Sequence, residues 1–461
     1  RDYLGNVALP DSAYYGVQTA RALRNFPVTG IRADPALVWA YLLIKKSAAK
    51  ANMELGVLDR ERGRAIVKAA DVVLKGEHLD QFVVDVFQAG AGTSFNMNVN
   101  EVLANIALES LGAGKGDYDR LSPNDHVNMG QSTNDTFPTA SHMAILLLSE
   151  ALLEDLEDLV LALEDKGKEM SWTVKTGRTH LMDALPVTLG QEFLAYATAV
   201  RRARKRVQQR RTGLMELPLG GTAVGSGAGA HPQFRIRTVS KLAVMTGWRL
   251  FEASDSYEAL QSRAALVAFS GALRELAVEL VRISNDLRLL GSGPVSGLGE
   301  IELPAVQPGS SIMPGKVNPS IPECMDMICF QIIGNDLAVS MAGQAGQLEL
   351  NVMTPLMTHD ILSSLRMLIN FLPVYVSSCI KGIKGNEGRC KDHLELNPIL
   401  ATFLDKRIGY QKGAEVAKES MRSGRPVKEI AVERGYLTSQ EAEEIYNPDA
   451  LAKSAYKRRK A

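Results

Sequence analysis

The chain has 461 residues, and its 52 lysines and arginines are balanced by 52 aspartates and glutamates, so nothing in its charge calls for a polyanionic partner. With 46% apolar and only 23% charged residues it reads as a folded protein of two or three domains, which excludes a disordered or solvating chain. Cys324, Cys329, Cys379 and Cys390 form no CxxC pair and are too few for a disulfide framework, so they are expected as reduced thiols packed in helices. No apolar run approaches the roughly 18 residues of a membrane span, and the opening RDYLGNVALP lacks the apolar core of a signal peptide. A cytoplasmic location without membrane contact is expected, for a sequence that starts at Arg1 rather than Met.

The first polar cluster is GAGTSFNMNVNE, residues 90–101, where Thr93, Ser94, Asn96, Asn98 and Asn100 follow two glycines that allow close backbone approach to a ligand. By itself such a run reads as a turn and a helix N-cap. PNDHVNMGQSTNDTFP, residues 123–138, offers His126, Ser132, Thr133, Asn134 and Asp135 ahead of a long helix, whose free N–H groups and dipole favour a carboxylate there. That helix is expected over 139–166, a stretch without Gly or Pro in which Leu152, Leu156, Leu159 and Leu163 repeat at helical spacing. GRTHLMDALPVTLGQE, residues 177–192, places Thr179 and His180 before a third helix expected from about Pro186 to Leu217.

Seven basic residues between Arg201 and Arg211 resemble a nucleic-acid patch, but no aromatic residue interleaves them. The acidic run Glu150–Glu169 on the neighbouring helix offers pairing along antiparallel helices, so no nucleic-acid partner is expected. From 256 to 290 the apolar positions Leu266, Phe269, Leu273, Leu276, Leu280, Ile283, Leu287 and Leu290 step by three and four, the seam of a lengthwise-packed helix. Further helices are expected at about 321–350 and 358–382, weakened or kinked by Gly334, Gly343, Gly346 and Pro373. The whole predicts a mainly α protein with a central helix bundle. Its Ala and Gly fall on several helix faces, more than one chain can cover, so a homo-oligomer is expected.

Residues 291–319, GSGPVSGLGEIELPAVQPGSSIMPGKVNP, carry too many glycines and prolines for any regular element. A structureless loop of this length between rigid helices points to function. It holds Ser310, Ser311, Lys316 and Asn318 beside Ile312, Met313 and Val317, whereas a linker would carry acidic or Gln-rich filler. The sequence has no HExxH, no paired carboxylates at helical spacing and no nucleotide-binding Gly loop, so metalloprotease, dinucleotide and P-loop readings lose their motifs. One lysine among many neutral donors suits a small dicarboxylate, with Lys316 as its anchor.

GSSIMPGKVNP, residues 309–319, resembles the signature loop of the aspartase and fumarase superfamily, whose members break a C–N or C–O bond beside a carboxylate and release fumarate. The three other clusters resemble the family's remaining substrate-binding segments, in order and at the expected separations. The resemblance implies a mostly helical N-terminal domain over 1–131, a five-helix central domain with the signature loop over 132–388, and a small helical C-terminal domain over 389–461. It also implies a homotetramer with a twenty-helix core and active sites that each draw on three subunits. DQFVVDVFQAGAGTS (80–94) and VSMAGQAGQLELNVM (339–353) resemble the aspartate ammonia-lyase branch, where fumarases typically read GSGTQ and GNFELNV. The class II fumarate hydratase branch is the alternative, and a non-catalytic structural bundle a distant one.

What the resemblance implies for the site is an anti elimination from L-aspartate. Ser310 is the base, its oxyanion stabilised by loop N–H groups and Lys316. Thr93, Ser132, Thr133 and Ser311 hold the carboxylate that becomes enediolate-like, and Lys316, Asn318 and Thr179 hold the other. Asn134 and His180 sit near the leaving amine, with Glu323 orienting His180, and His126 and Asn128 form a secondary carboxylate site. No organic cofactor or metal is required, and a divalent ion enters only as an activator. Two departures stand out: Val295 in SGPVSG, where the family often has Arg, and GSGAGAHP (225–232), which lacks an Asn.

Overall fold

The computed structural model describes residues 2–448 and 450–451. Among them helices dominate, with strands confined to three two-stranded ribbons. The five long helices are Thr133–Glu169, Leu189–Leu214, Ala264–Leu290, Ser320–Gln344 and Thr354–Ser378. Contacts gather the chain into two compact units, Arg1–Glu154 with Lys205–Ala277 and Phe330–Ile369, and Asp155–Arg204 with Val278–Cys329 and Asn370–Ala461. Each unit therefore holds one part of every long helix.

In the first unit, helices Pro35–Glu54 and Thr93–Ser110 pack by the fully buried Tyr41 and Phe95. Their rings meet edge-on at 5.3 Å, and Phe137 of the 133–169 helix reaches Tyr41 at 6.0 Å. Gly92, at φ +88°, is where the chain turns into the 93–110 helix, and a Cβ there would collide with the Phe137 ring. The helix parts of this unit are tied by buried polar pairs. Ser141 and Thr358 hydroxyls lie 2.7 Å apart, Ser270 donates to Asp336 at 2.7 Å, and Asn335 donates to Ser364 at 3.0 Å. In the second unit Tyr196 donates to Asp286 at 3.1 Å, and the Ser284 and Tyr375 hydroxyls meet at 3.0 Å. The C-terminal helices close over their own core of Leu394, Leu404, Val416 and Ile430.

Several expected boundaries move. The helix expected from Pro186 is preceded by an antiparallel hairpin, Val174–Thr179 with Met182–Thr188, then runs Leu189–Leu214 and gives way to a short strand at Glu216–Leu217. The helix expected at 139 starts six residues earlier, because Ser132 caps it and Pro138 forfeits only one backbone bond. The 256–290 segment is two helices, Ser256–Gln261 and Ala264–Leu290. At the break the buried Arg263 donates to the carbonyls of Ala259 and Ser262, and the Ser262 hydroxyl caps Ala264. The last two long helices run Ser320–Gln344 and Thr354–Ser378, with Pro373 tolerated inside the second. Within the supposedly structureless loop, Ile301–Glu302 pairs with Lys384–Gly385.

The membrane expectation is corrected on one point. Ser320–Gln344 and Thr354–Gly382 are long and apolar enough, by length and composition alone, to cross a membrane. Their buried Asn335, Asp336 and Ser364 are engaged in the interhelical bonds above, as in a bundle core. On the other face of the 320–344 helix, Met327, Phe330, Leu337 and Met341 are each more than half exposed. Three of the seven basic residues of the 201–211 run find partners on the acidic helix: Arg201 with Glu164, Arg204 with Glu157 and Arg211 with Glu150. All four cysteines are free thiols.

Candidate active site

Two sets of the sequence-selected residues take shape, one in each unit. In the first unit Thr93, Asn128, Ser132, Thr133 and Asn134 line one open cavity of about 480 Å3, together with Asn96, Gly130, Thr222 and Gly229. That volume suits a small ligand. The cavity faces the start of the 133–169 helix, whose free N–H groups and dipole favour an anion. Ser132 caps the helix: its hydroxyl accepts from the Asn134 N–H at 3.2 Å, and its own N–H donates to Asp135 at 3.0 Å. Asp135 also accepts the N–H groups of Gly220 (3.0 Å) and Thr222 (2.9 Å), which fixes the 220–229 loop over the helix start. Burial pushes the Asp135 carboxyl up to about 7 against the pull of those N–H groups. Asn134 donates its amide to Ala223 O at 2.8 Å, and Thr93, the exposed first residue of its helix, lies 3.5 Å from Gly90 O.

The floor of the cavity is polar, and the lysine beneath it is shut off from solvent. Lys45, wholly buried, donates to Asn96 at 2.8 Å and Asn128 at 2.9 Å, while Asn96 donates to Thr133 at 3.0 Å. His126, expected as a companion of Asn128, does not line this cavity, and its Nδ1 accepts the Ser122 N–H at 2.8 Å at the start of the 123–127 turn. Burial and the Arg62 charge lower its pKa.

The second unit carries Thr179, His180, Ser310, Ser311, Lys316, Asn318 and Glu323. Thr179 and His180 sit exposed at the hairpin tip, where His180 and Leu181 take φ of +55° and +60°. Positive φ at both central residues is what a two-residue hairpin turn requires to match the twist of its strands. The hairpin is pinned from below. Glu300, fully buried, accepts two bonds from Arg178 at 2.8 and 3.0 Å, one from His393 at 3.0 Å and the Lys175 ammonium at 2.9 Å. Arg389 grips the base of the long loop through the carbonyls of Leu298 (3.1 Å), Gly297 (3.2 Å) and Val295 (3.4 Å). The loop is thus anchored from the C-terminal region despite Val295.

Farther along, Asn318 donates to Gly309 O at 2.7 Å, and the Gly309 N–H to Lys316 O at 2.7 Å, closing residues 309–318 into a compact lobe. Inside it Ser310 Oγ accepts the N–H groups of Ile312 (3.2 Å) and Met313 (3.0 Å). Ser311 and Lys316 are exposed. Glu323 lies 4.0 Å from Arg288, and among the described residues His180 has no hydrogen-bond partner. Among those residues, too, no group of three His, Cys, Asp or Glu is placed to hold a metal ion. The buried Lys45 and the Glu300 cluster are the parts that sequence reading missed. A lysine inside LVWAYLLIKKSAAKAN was a signal, since only a partnered ammonium is placed on the inner face of so apolar a helix.

A mainly helical fold that carries a hydroxyl- and amide-lined cavity and a serine-bearing loop is shared with the lyases to which the chain is similar. The family model described as "Lyase" matches residues 5–334, and the one described as "Fumarase C C-terminus" matches residues 400–453. The chain belongs to the aspartase and fumarase superfamily of enzymes. It is 46% identical to an aspartate ammonia-lyase of Bacillus sp., over 97% of this chain and 96% of that one. It is also 46% identical to a class II fumarate hydratase of Thermosynechococcus vestitus, over 95% and 94%. A crystal structure of the fumarate lyase:delta crystallin of Brucella melitensis, bound to cobalt, superposes with a TM-score of 0.95 at 46% identity over 98% of both chains.

Proposed function

We propose that this chain is an aspartate ammonia-lyase, which reversibly removes ammonia from L-aspartate by anti elimination to give fumarate. Overall identity does not separate this from hydration of fumarate, since relatives of both kinds stand at the same level. The observation that carries the choice is local. The two segments that resemble the ammonia-lyase branch, around Ala91 to Ser94 and around Gln347, touch each other beside the cradle, the Ala91 N–H donating to Val352 O at 2.8 Å. They form one surface next to Thr93, so the residues that resemble the ammonia-lyase branch are gathered at one edge of the cradle.

In the mechanism Ser310 takes the proton from the carbon beside the side-chain carboxylate. The two N–H groups on its oxygen support this role, because they stabilise an alkoxide far better than water at a neutral hydroxyl. Lys316, carried by the same closed lobe, adds positive charge and holds the second carboxylate with Asn318 and Thr179. Thr93, Ser132, Thr133 and Ser311 stabilise the enediolate-like dianion, which is where transition-state charge accumulates. Asn134 and His180 attend the amine as it leaves, and Glu323 orients His180.

The same reading has the chain divided near residues 131 and 388 and assembled as a homotetramer with shared active sites. The exposed stripe Met327, Phe330, Leu337 and Met341 supports assembly, since an apolar helix face of this length calls for a partner. The scheme needs no organic cofactor or metal, and a divalent ion would act only as an activator. Buried free thiols at Cys329, Cys379 and Cys390 support a reducing, cytoplasmic setting. Ultraviolet absorbance of fumarate, with L-aspartate and L-malate supplied in parallel, tests the proposal. Fumarate from malate alone would assign the hydratase reading instead.

A further inference from the structure

Lys45 belongs to no role in the elimination described above, yet it is the only cation built into the floor of the cradle among the described residues. It has no exposure at all, and its donors face two amide oxygens, Asn96 Oδ1 at 2.8 Å and Asn128 Oδ1 at 2.9 Å. A lysine only donates here, and even as the neutral amine toward which burial lowers it, at about 7, it keeps two N–H groups for those two oxygens. The orientation of Asn96 follows. Its oxygen must face Lys45, so its NH2 must face Thr133, and it does, at 3.0 Å. Asn128 Oδ1, which also receives the amides of Asn96 (3.3 Å) and Asn100 (3.1 Å), offers no alternative acceptor arrangement.

Thr133 Oγ1 is therefore an acceptor on its inner side. A hydroxyl that accepts from the protein keeps one proton to give, and among the described residues the Thr133 hydroxyl donates to nothing. Thr133 lines the cavity, so that proton is available to whatever occupies it, water in the free protein and a ligand when one is bound. We propose that Lys45 is a positioning residue for catalysis: through Asn96 it fixes the Thr133 hydroxyl as a donor aimed into the carboxylate cradle. Without Lys45 the Asn96 oxygen loses its donor and only the long 3.3 Å bond to Asn128 resists a turn of the amide; once turned, its oxygen takes the Thr133 proton, and the cradle presents a lone pair to a developing dianion. The inference rests on the cradle holding a substrate carboxylate, as proposed above, but not on which leaving group departs.

The test is a pair of double-substitution cycles on kcat/KM, run with whichever of L-aspartate or L-malate the unsubstituted protein turns over. Activity with malate alone defeats the ammonia-lyase reading and leaves this test intact. Lys45→Met and Thr133→Val are each expected to lower kcat/KM about 30-fold, a loss on the scale of one hydrogen bond to a charged group, with most of it in kcat. The double variant should also lie near 30-fold, because both changes remove the same donor. In a Thr133→Ser background, which keeps a hydroxyl, Lys45→Met should cost its full amount again. Asn96→Leu, combined with Thr133→Val in the same way, repeats the test with Lys45 in place should Lys45→Met fold poorly. A multiplicative loss near 1,000-fold in either cycle, or an undiminished Lys45→Met penalty in Thr133→Val, would overturn the proposal.

Discussion

Glu300→Gln isolates the buried charge cluster beneath the hairpin. The carboxylate has no solvent exposure and is met by Arg178, Lys175 and His393 at 2.8 to 3.0 Å. Burial raises its pKa, but Arg178 and Lys175 more than offset that, and the carboxyl stays below its usual range. An amide keeps the shape and removes the charge. Lys175, itself 2% exposed, would retain Glu192 at 2.8 Å, but the Arg178 guanidinium would lose its ion-pair partner. Breaking one partner of a buried ion cluster costs about 3–5 kcal/mol, the range expected here. Urea unfolding at fixed protein concentration, read by Trp172 beside the hairpin in a Trp39→Phe, Trp248→Phe background, measures it. Adding Arg178→Met should recover at least about 1 kcal/mol, since it removes the orphaned cation. A cost below about 1 kcal/mol for Glu300→Gln, or strictly additive effects in the pair, would refute this account of what holds the hairpin.

Ser310→Ala should abolish turnover yet leave fumarate binding nearly unchanged, since the base acts only in the transition state; more than a few per cent residual rate would remove Ser310 from that role. Lys316→Ala should weaken fumarate binding, by calorimetry, as well as lower kcat, because it anchors a carboxylate already present in the ground state. His142, buried and neutral, has its pKa lowered from 6.5 to about 4 by burial and by the nearby Arg263 charge. Its contribution to stability is therefore complete above pH 6.5 and is lost as pH falls toward 4, by about 3 kcal/mol; the unfolding midpoint of His142→Gln should be flatter across that window. Phe330→Glu, placed in the exposed apolar stripe, should shift the sedimentation of the native protein toward smaller species.

Much of this architecture was legible because the chemistry is local. The seam from Leu266 to Leu290 repeats along one helix face, and the composition of 291–319 forbids a long regular element. The hairpin 174–188 was not legible, since its strands are short, mixed in polarity and interrupted by Pro186, so the period-two signal never accumulates. The break at Ser262 depends on Arg263 reaching back to two carbonyls, a tertiary choice that apolar spacing does not record. Within the site, Ser132, Thr133 and Asn134 announce a helix cap and lie where a cap lies. Lys45 and Glu300 are different: they are separated by 51 and 122 residues from the Asn96 and Arg178 they hold, and nothing in sequence order joins them. His126 and Asn128 are two residues apart, yet one accepts the Ser122 N–H and the other lines the cradle, a division that sequence spacing does not record.

The most direct measurement supplies fumarate and ammonium in D2O and follows the products by proton NMR. The account predicts aspartate carrying a single deuteron at C3, on the face opposite the new amine, as anti addition requires. Malate as the product, or aspartate deuterated on both faces of C3, would contradict it.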